Sequence, residues 1–132
     1  MPNPCWTICT SATRAYASSA LKIAGIPIPD VFIVAEDFSR GKPFPDPYLL
    51  GAERAGCQAG GLSAMPVRLR SNRVCVNVFY LGIVLEDSPS GIRSGRAAGC
   101  KVIALLTTHT REQVEAAEPD FIVKYLSMLY RS

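Results

Sequence analysis

The stretch Ile83-Val84-Leu85-Glu86-Asp87-Ser88-Pro89-Ser90-Gly91-Ile92 passes from an apolar run to two acids and then to a Ser-Pro pair. A short β-branched run bounded by polar residues predicts a buried strand over Ile83-Val84-Leu85. Serine followed by proline is the order of an N-cap and a first helical residue, so a helix is expected from Ser88-Pro89 to about Ala98, ending at Gly99. The two carboxylates therefore fall where a strand gives way to a helix.

The same alternation extends in both directions. Trp6 to Cys9 predicts a short buried strand, and Thr10-Ser11-Ala12-Thr13 breaks it and opens a helix to about Ala24. In that helix Tyr16, Ala20, Ile23 and Ala24 have the spacing of one apolar face. Gly25 is placed as its C-terminal cap, and Pro27 and Pro29 prevent continuation. Val31 to Ala35 predicts a second strand. Arg40-Gly41-Lys42-Pro43-Phe44-Pro45 predicts a stiff loop, and Asp46-Pro47 repeats the cap-then-proline device before a helix from Pro47 to Ala55. Beyond the central stretch, Lys101 to Leu105 predicts a strand, Arg111 to Ala117 a helix and Phe121 to Val123 a last strand.

Strands alternating with helices imply an α/β fold with a parallel sheet. Its strands are expected to be buried on both faces, which accounts for their unbroken apolar runs. Ligands of such sheets bind beyond the carboxyl ends of the strands. Thr10-Ser11 and Glu86-Asp87 both fall at such ends, and they are read as parts of one site.

Composition sets the outer limits. The 132 residues fit one domain, with 48% hydrophobic and 19% charged residues, enough for an apolar core. A formal charge of +3 is too small an excess to imply nucleic acid, which needs a concentrated basic face. No apolar run is long enough to span a bilayer, and Met1-Pro2-Asn3-Pro4 lacks the order of a signal peptide, so a cytoplasmic protein is expected. Cys5, Cys9, Cys57, Cys75 and Cys100 are odd in number and form no CxxC pair, which favours reduced thiols over disulfides. The one histidine, His109, is near none of them, which argues against zinc. It follows a strand within Thr107-Thr108-His109-Thr110, and a surface histidine is favoured over a general base.

One stretch departs from the pattern. Between Cys57 and Gly82 stand Gly60-Gly61, then Arg68, Arg70 and Arg73, then Val74-Cys75-Val76-Asn77-Val78-Phe79-Tyr80. A helix and the next strand need only a few connecting residues. Residues 58–82 are read as an atypical insert in a single domain over 1–132. The Val74–Tyr80 run suits an extra strand or an exposed, aggregation-prone segment. The three arginines solvate a loop or, as the least favoured reading, contact nucleic acid.

The polar residues at the strand ends have two readings each. Adjacent carboxylates at a buried strand end need a cation or hydrogen-bond donors, and hard oxygens suit magnesium. Alternatively Asp87 caps the next helix and Glu86 faces water. Lys42, held among prolines, can present a point charge to a phosphate, or it is a solvated surface lysine. Thr10-Ser11 offers hydroxyls and backbone N–H groups at a helix start, a phosphate site, or merely caps the helix.

Taken in order, three segments resemble motifs of the haloacid-dehalogenase superfamily of phosphatases. Thr10-Ser11-Ala12-Thr13 is similar to the second motif, a Ser or Thr ending a strand. Gly41-Lys42-Pro43-Phe44-Pro45-Asp46-Pro47-Tyr48 is similar to the third, with its lysine. Leu85-Glu86-Asp87-Ser88-Pro89-Ser90-Gly91-Ile92, followed by Ala97-Ala98-Gly99-Cys100, is similar to the fourth, acidic motif. The resemblance covers about Trp6 to Gly56 and Ile83 to Lys124 and is greatest to fungal phosphatases of 2-deoxyglucose 6-phosphate or glycerol phosphate.

The resemblance implies a magnesium-dependent hydrolase of small phosphorylated sugars or polyols with a Rossmann-like core. It places Thr10, Ser11, Ala12 and Lys42 on the phosphate. It makes Ser11 and Lys42 the catalytic helpers and Asp87, assisted by Glu86, the magnesium site. It also implies what is missing: no Asp-x-Asp motif, the family's nucleophile and acid–base pair, precedes Thr10, and no cap domain separates it from the second motif. The strand that carries that motif lies mid-sheet, between those ending at Cys9 and Leu85, so an incomplete core is expected. An inactive chain, or a phosphate- and magnesium-binding module completed by another chain, follows as the expectation. No membrane or nucleic-acid partner is expected, and the oligomeric state is left open.

Overall fold

The computed structural model describes residues 6–56 and 82–129. The Arg68, Arg70 and Arg73 cluster, the Val74–Tyr80 run, Cys5, Cys57 and Cys75 lie outside the described residues. So does all of the expected insert but Gly82.

The described elements are β1 (Ile8–Cys9), α1 (Arg14–Ile23), β2 (Phe32–Ile33), α2 (Asp46–Arg54), β3 (Ile83–Glu86), α3 (Pro89–Ala97), β4 (Lys101–Leu105), α4 (Arg111–Glu115) and β5 (Phe121–Val123), with 3-10 turns at Ala35–Asp37 and Leu126–Leu129. All pairing among them is parallel, as the alternation predicts. β1 pairs β2 with Ile8 opposite Phe32. β3 pairs β4 with Val84 opposite Val102, and β4 pairs β5 with Ala104 opposite Ile122. The described strands form two sheets, β1-β2 and β3-β4-β5. The break falls between β1 and β3, where the sequence leads one to expect a strand missing.

Local chemistry accounts for the helix starts. Ser88 caps α3, its hydroxyl accepting from the Gly91 N–H at 3.1 Å, and Pro89 enters the first turn. Thr110 caps α4 reciprocally with Gln113. Two expectations are corrected. Thr13, not Thr10 or Ser11, caps α1, because its hydroxyl lies within 3.4 Å of the Tyr16 N–H. Asp46 does not cap α2. Its carboxylate takes both Arg40 donors at 3.0 Å instead, a bidentate pair stronger than a single cap bond.

β2 is buried on both faces, Phe32 and the flanking Val34 against α1 and Ile33 beside Gly51 of α2, whereas burial in the β3-β4-β5 sheet follows one face. Val84, Val102 and Ala104 turn toward α3 and α4 and pack with Ile92, Val114 and Ala117. On the opposite face of β3, Ile83 and Leu85 are exposed, against the expectation of two-sided burial. The physical reason is that α3 and α4 lie on the same side of this sheet. The inward face of α1 also differs from expectation. Ala17 is buried against Phe32 and Val34, with Leu21 and Ile8 beside it, whereas Tyr16 and Ile23 are exposed. Among the described residues no helix is long and apolar enough to cross a membrane.

Candidate phosphate-binding site

The carboxyl ends of β1, β3 and β4 converge on one pocket of about 530 Å³. β1 delivers Thr10 and Ser11, β3 delivers Glu86, Asp87 and Ser88, and β4 delivers Thr107. Lys42 enters from the loop before α2. Parallel strands make this possible, because they bring their loops to the same edge of the sheet.

Glu86 is buried, 7% exposed, and its carboxylate is surrounded by donors. One oxygen accepts from the Lys42 ammonium and the Tyr48 hydroxyl. The other accepts from the Asp87 N–H at 3.2 Å and the Ser88 hydroxyl at 3.3 Å. A buried carboxylate is tolerable only with such compensation. Gly91 makes the room, since a Cβ there would run into the Glu86 carboxylate. The Lys42 nitrogen also sits 5.1 Å from the centroid of the Tyr48 ring. Burial, and then the Glu86 carboxylate, push the Tyr48 phenol well above its ordinary range, so it remains a donor.

Asp87 is differently placed. It is half-buried at the pocket wall, and its carboxylate accepts from the Thr107 hydroxyl at 2.9 Å and the Thr108 hydroxyl at 3.3 Å. Among the described residues no group of three His, Cys, Asp or Glu side chains could hold a metal ion. Magnesium commonly takes one or two carboxylates and completes its shell with phosphate oxygens and water. Asp87, with hydroxyls beside it, fits that sparse ligand set. Glu86 does not offer an open oxygen in the same way, because protein donors already occupy both.

The structure brings Thr10, Ser11, Lys42, Glu86 and Asp87 together, five of the residues singled out from sequence. Ala12 does not line the pocket, and its N–H donates to the Thr10 hydroxyl at 3.1 Å. His109 stays outside too, with its ring against the Thr108 hydroxyl at 3.0 Å. Cys9 lines the pocket, but burial raises its thiol to about 11, so it is a neutral wall and not a nucleophile at neutral pH. Tyr48 and Thr107 have no role read from sequence, and Ser88 only that of an N-cap. Thr107 had a usable signal, since it follows a strand's carboxyl end just as Thr10 and Asp87 do. Tyr48 had none, because its reach to Glu86 depends on how α2 lies.

No family model matches the chain. It is 43% identical over 100 residues to hexitol phosphatase A of Escherichia coli, covering 76% of this chain and 37% of that protein. It is 34% identical over 124 residues to glycerol-1-phosphate phosphohydrolase 2 of Saccharomyces cerevisiae, covering 94% and 44%. The chain thus spans less than half the length of these curated relatives. In structure it matches a haloacid dehalogenase-like protein of Agrobacterium tumefaciens with a TM-score of 0.68 at 24% identity, over 92% of this chain and 50% of that one.

Proposed function

We propose that this chain, which has the haloacid-dehalogenase fold and is similar in sequence to sugar- and glycerol-phosphate phosphatases of that superfamily, carries the phosphate- and magnesium-binding groups of such an enzyme. Its substrate class would be small phosphorylated sugars or polyols. The observation that supports this is the convergence of Ser11, Lys42 and Asp87 on one pocket from three separate segments.

Each group has a task the chemistry requires. Phosphoryl transfer depends on positioning and on neutralising charge. The Ser11 hydroxyl and the nearby Thr10 would orient the phosphoryl oxygens. The Lys42 ammonium has three N–H donors; Glu86 accepts one and so aims the others. Asp87 would hold magnesium, which when bound supplies further positive charge to the phosphate. Glu86 acts through Lys42, as the group that fixes its position.

The 132-residue chain itself is proposed to bind phosphate without hydrolysing monoesters. No carboxylate in this pocket is free to attack phosphorus, because Glu86 is held by Lys42 and Tyr48 and Asp87 is assigned to the metal. Incubation with p-nitrophenyl phosphate and magnesium is expected to give no release above buffer. Turnover that disappears in Asp87→Ala would overturn this.

A further inference from the structure

The Asp87 carboxylate is held unevenly. The Thr107 hydroxyl donates to its Oδ2 at 2.9 Å, and the Thr108 hydroxyl donates to the same atom at 3.3 Å. Among the described residues no donor reaches its Oδ1. The backbone accounts for this placement. β3 and β4 run parallel with Glu86 opposite Ala104, so Asp87 leaves the sheet beside the turn that follows Leu105. Leu106 is still tied to β5, its N–H donating to the Val123 carbonyl at 3.2 Å, and Thr110 caps α4. Thr107 and Thr108 thus stand on a short connection fixed at both ends.

The two hydroxyls are not equal. Thr107 lines the pocket, and its hydroxyl has Asp87 as its one partner among the described residues. The Thr108 hydroxyl also lies 3.0 Å from the His109 Nδ1, so its single hydrogen has two acceptors whenever that nitrogen is unprotonated. Thr107 is the firmer hold. Glu86 does not make up for the occupied Oδ2, because protein donors take both of its oxygens. The two acids together leave one carboxylate oxygen open, the Oδ1 of Asp87.

That count discriminates between hard cations. Magnesium is small, keeps several waters and is satisfied by one or two carboxylates beside a phosphate. Calcium is larger, gathers about six to eight oxygens and accepts both oxygens of one carboxylate. We infer that Thr107, assisted by Thr108, is a positioning residue that leaves Asp87 one open oxygen and so selects magnesium over calcium. This rests on the metal role proposed for Asp87 and adds to it the residues that set the choice of cation. Thr107 acts through the carboxylate: a hydroxyl bonded to Oδ2 competes with any cation for that atom and stops the carboxylate from turning. Without the hydroxyls both oxygens are free, which helps calcium more than magnesium.

The test titrates inorganic phosphate calorimetrically into the full chain with magnesium and, separately, with calcium at the same concentration, kept below the solubility limit of calcium phosphate. The gain in phosphate affinity from each cation gives a magnesium-to-calcium ratio, and wild type is expected to favour magnesium. Thr107→Val with Thr108→Val keeps the branching of both side chains and removes both donors. It is expected to lower the ratio by about tenfold, the size of one lost hydrogen bond to a charged group. Thr107→Ser with Thr108→Ser keeps the hydroxyls and is expected to retain the wild-type ratio. Both positions are exposed, so the fold is expected to survive, and circular dichroism checks it. The ratio is the informative quantity, because a site that is merely loosened weakens both cations alike. A wild-type chain that gains as much from calcium, an unchanged ratio in the valine variant, or an equal fall in the serine variant would overturn the inference and leave the metal role of Asp87 in place. A wild-type chain that gains nothing from either cation would remove that role and this inference with it.

Discussion

Lys42 and Glu86, 44 residues apart in sequence, form an ion pair in which 13% and 7% of the side chains are exposed. The pair joins the loop before α2 to the end of β3 and so fixes the mouth of the pocket. Such a pair is not by itself a source of net stability, because desolvation offsets the attraction. Breaking it is another matter, since one charge is left buried alone. Glu86→Ala or Lys42→Ala is each expected to cost about 3 kcal/mol or more in urea unfolding, and the apolar pair Lys42→Met with Glu86→Leu much less than the sum of the two singles. Additive losses would show that the two charges do not depend on one another.

Gly91→Ala is expected to have the opposite sign from the usual helix substitution. In a helix interior alanine normally gains about 0.5–1 kcal/mol over glycine. Here the added Cβ meets the Glu86 carboxylate, so the expected outcome is a loss of about 1–3 kcal/mol together with weaker phosphate binding. Thermal unfolding and a phosphate titration of the same variant check both parts. A more stable Gly91→Ala protein would show that Glu86 does not pack against the first turn of α3.

Asp87→Asn separates binding from folding. Asp87 is half-buried and its partners are two exposed threonine hydroxyls, so its removal is expected to change stability by less than about 1 kcal/mol. It is expected to abolish the dependence of phosphate affinity on magnesium. Calorimetric phosphate titrations with magnesium and with a chelator test this, and an unchanged magnesium dependence in Asp87→Asn would move the metal away from this residue.

Much of this site was legible because a few residue types have narrow physical uses. Ser88-Pro89 and Ile83-Val84-Leu85 mark a strand-to-helix junction in any context, and the structure has one there. Parallel topology then places Thr10, Ser11 and Asp87 at one edge. What stayed illegible depends on packing. Apolar spacing alone could not tell which face of α1 meets β2, because Tyr16 and Ala17 both have helical partners three and four residues on. Asp46 read as a cap because nothing local announces that Arg40 would claim its carboxylate. The burial of Glu86 was equally hidden, since its donors Lys42 and Tyr48 are distant in sequence.

Acid is expected to loosen the start of β4. The Asp120 carboxylate accepts from the Lys101 ammonium at 2.7 Å and from the Val102 N–H at 2.8 Å, and these two, in that order of effect, hold it below the usual carboxylate range. A folded pKa below the unfolded value of about 3.9 means the stabilisation is present above that value and is lost as pH falls through the folded one. Asp120→Asn should therefore lower stability at pH 7 and flatten the decline of stability as pH falls below about 4. Urea unfolding of both proteins across that range checks it, and parallel curves would remove Asp120 from the acid response.

The central claim is that Ser11, Lys42 and Asp87 form a phosphate site, and calorimetric titration of inorganic phosphate in magnesium tests it most directly. The wild-type chain is predicted to give saturable binding. Ser11→Ala, an exposed position whose substitution leaves the fold intact, is predicted to weaken it by about tenfold, the size of one or two lost hydrogen bonds. Lys42→Met, compared on samples whose circular dichroism matches wild type, is predicted to abolish it. A folded wild-type chain with no saturable phosphate binding, or binding that both substitutions leave unchanged, would contradict the account.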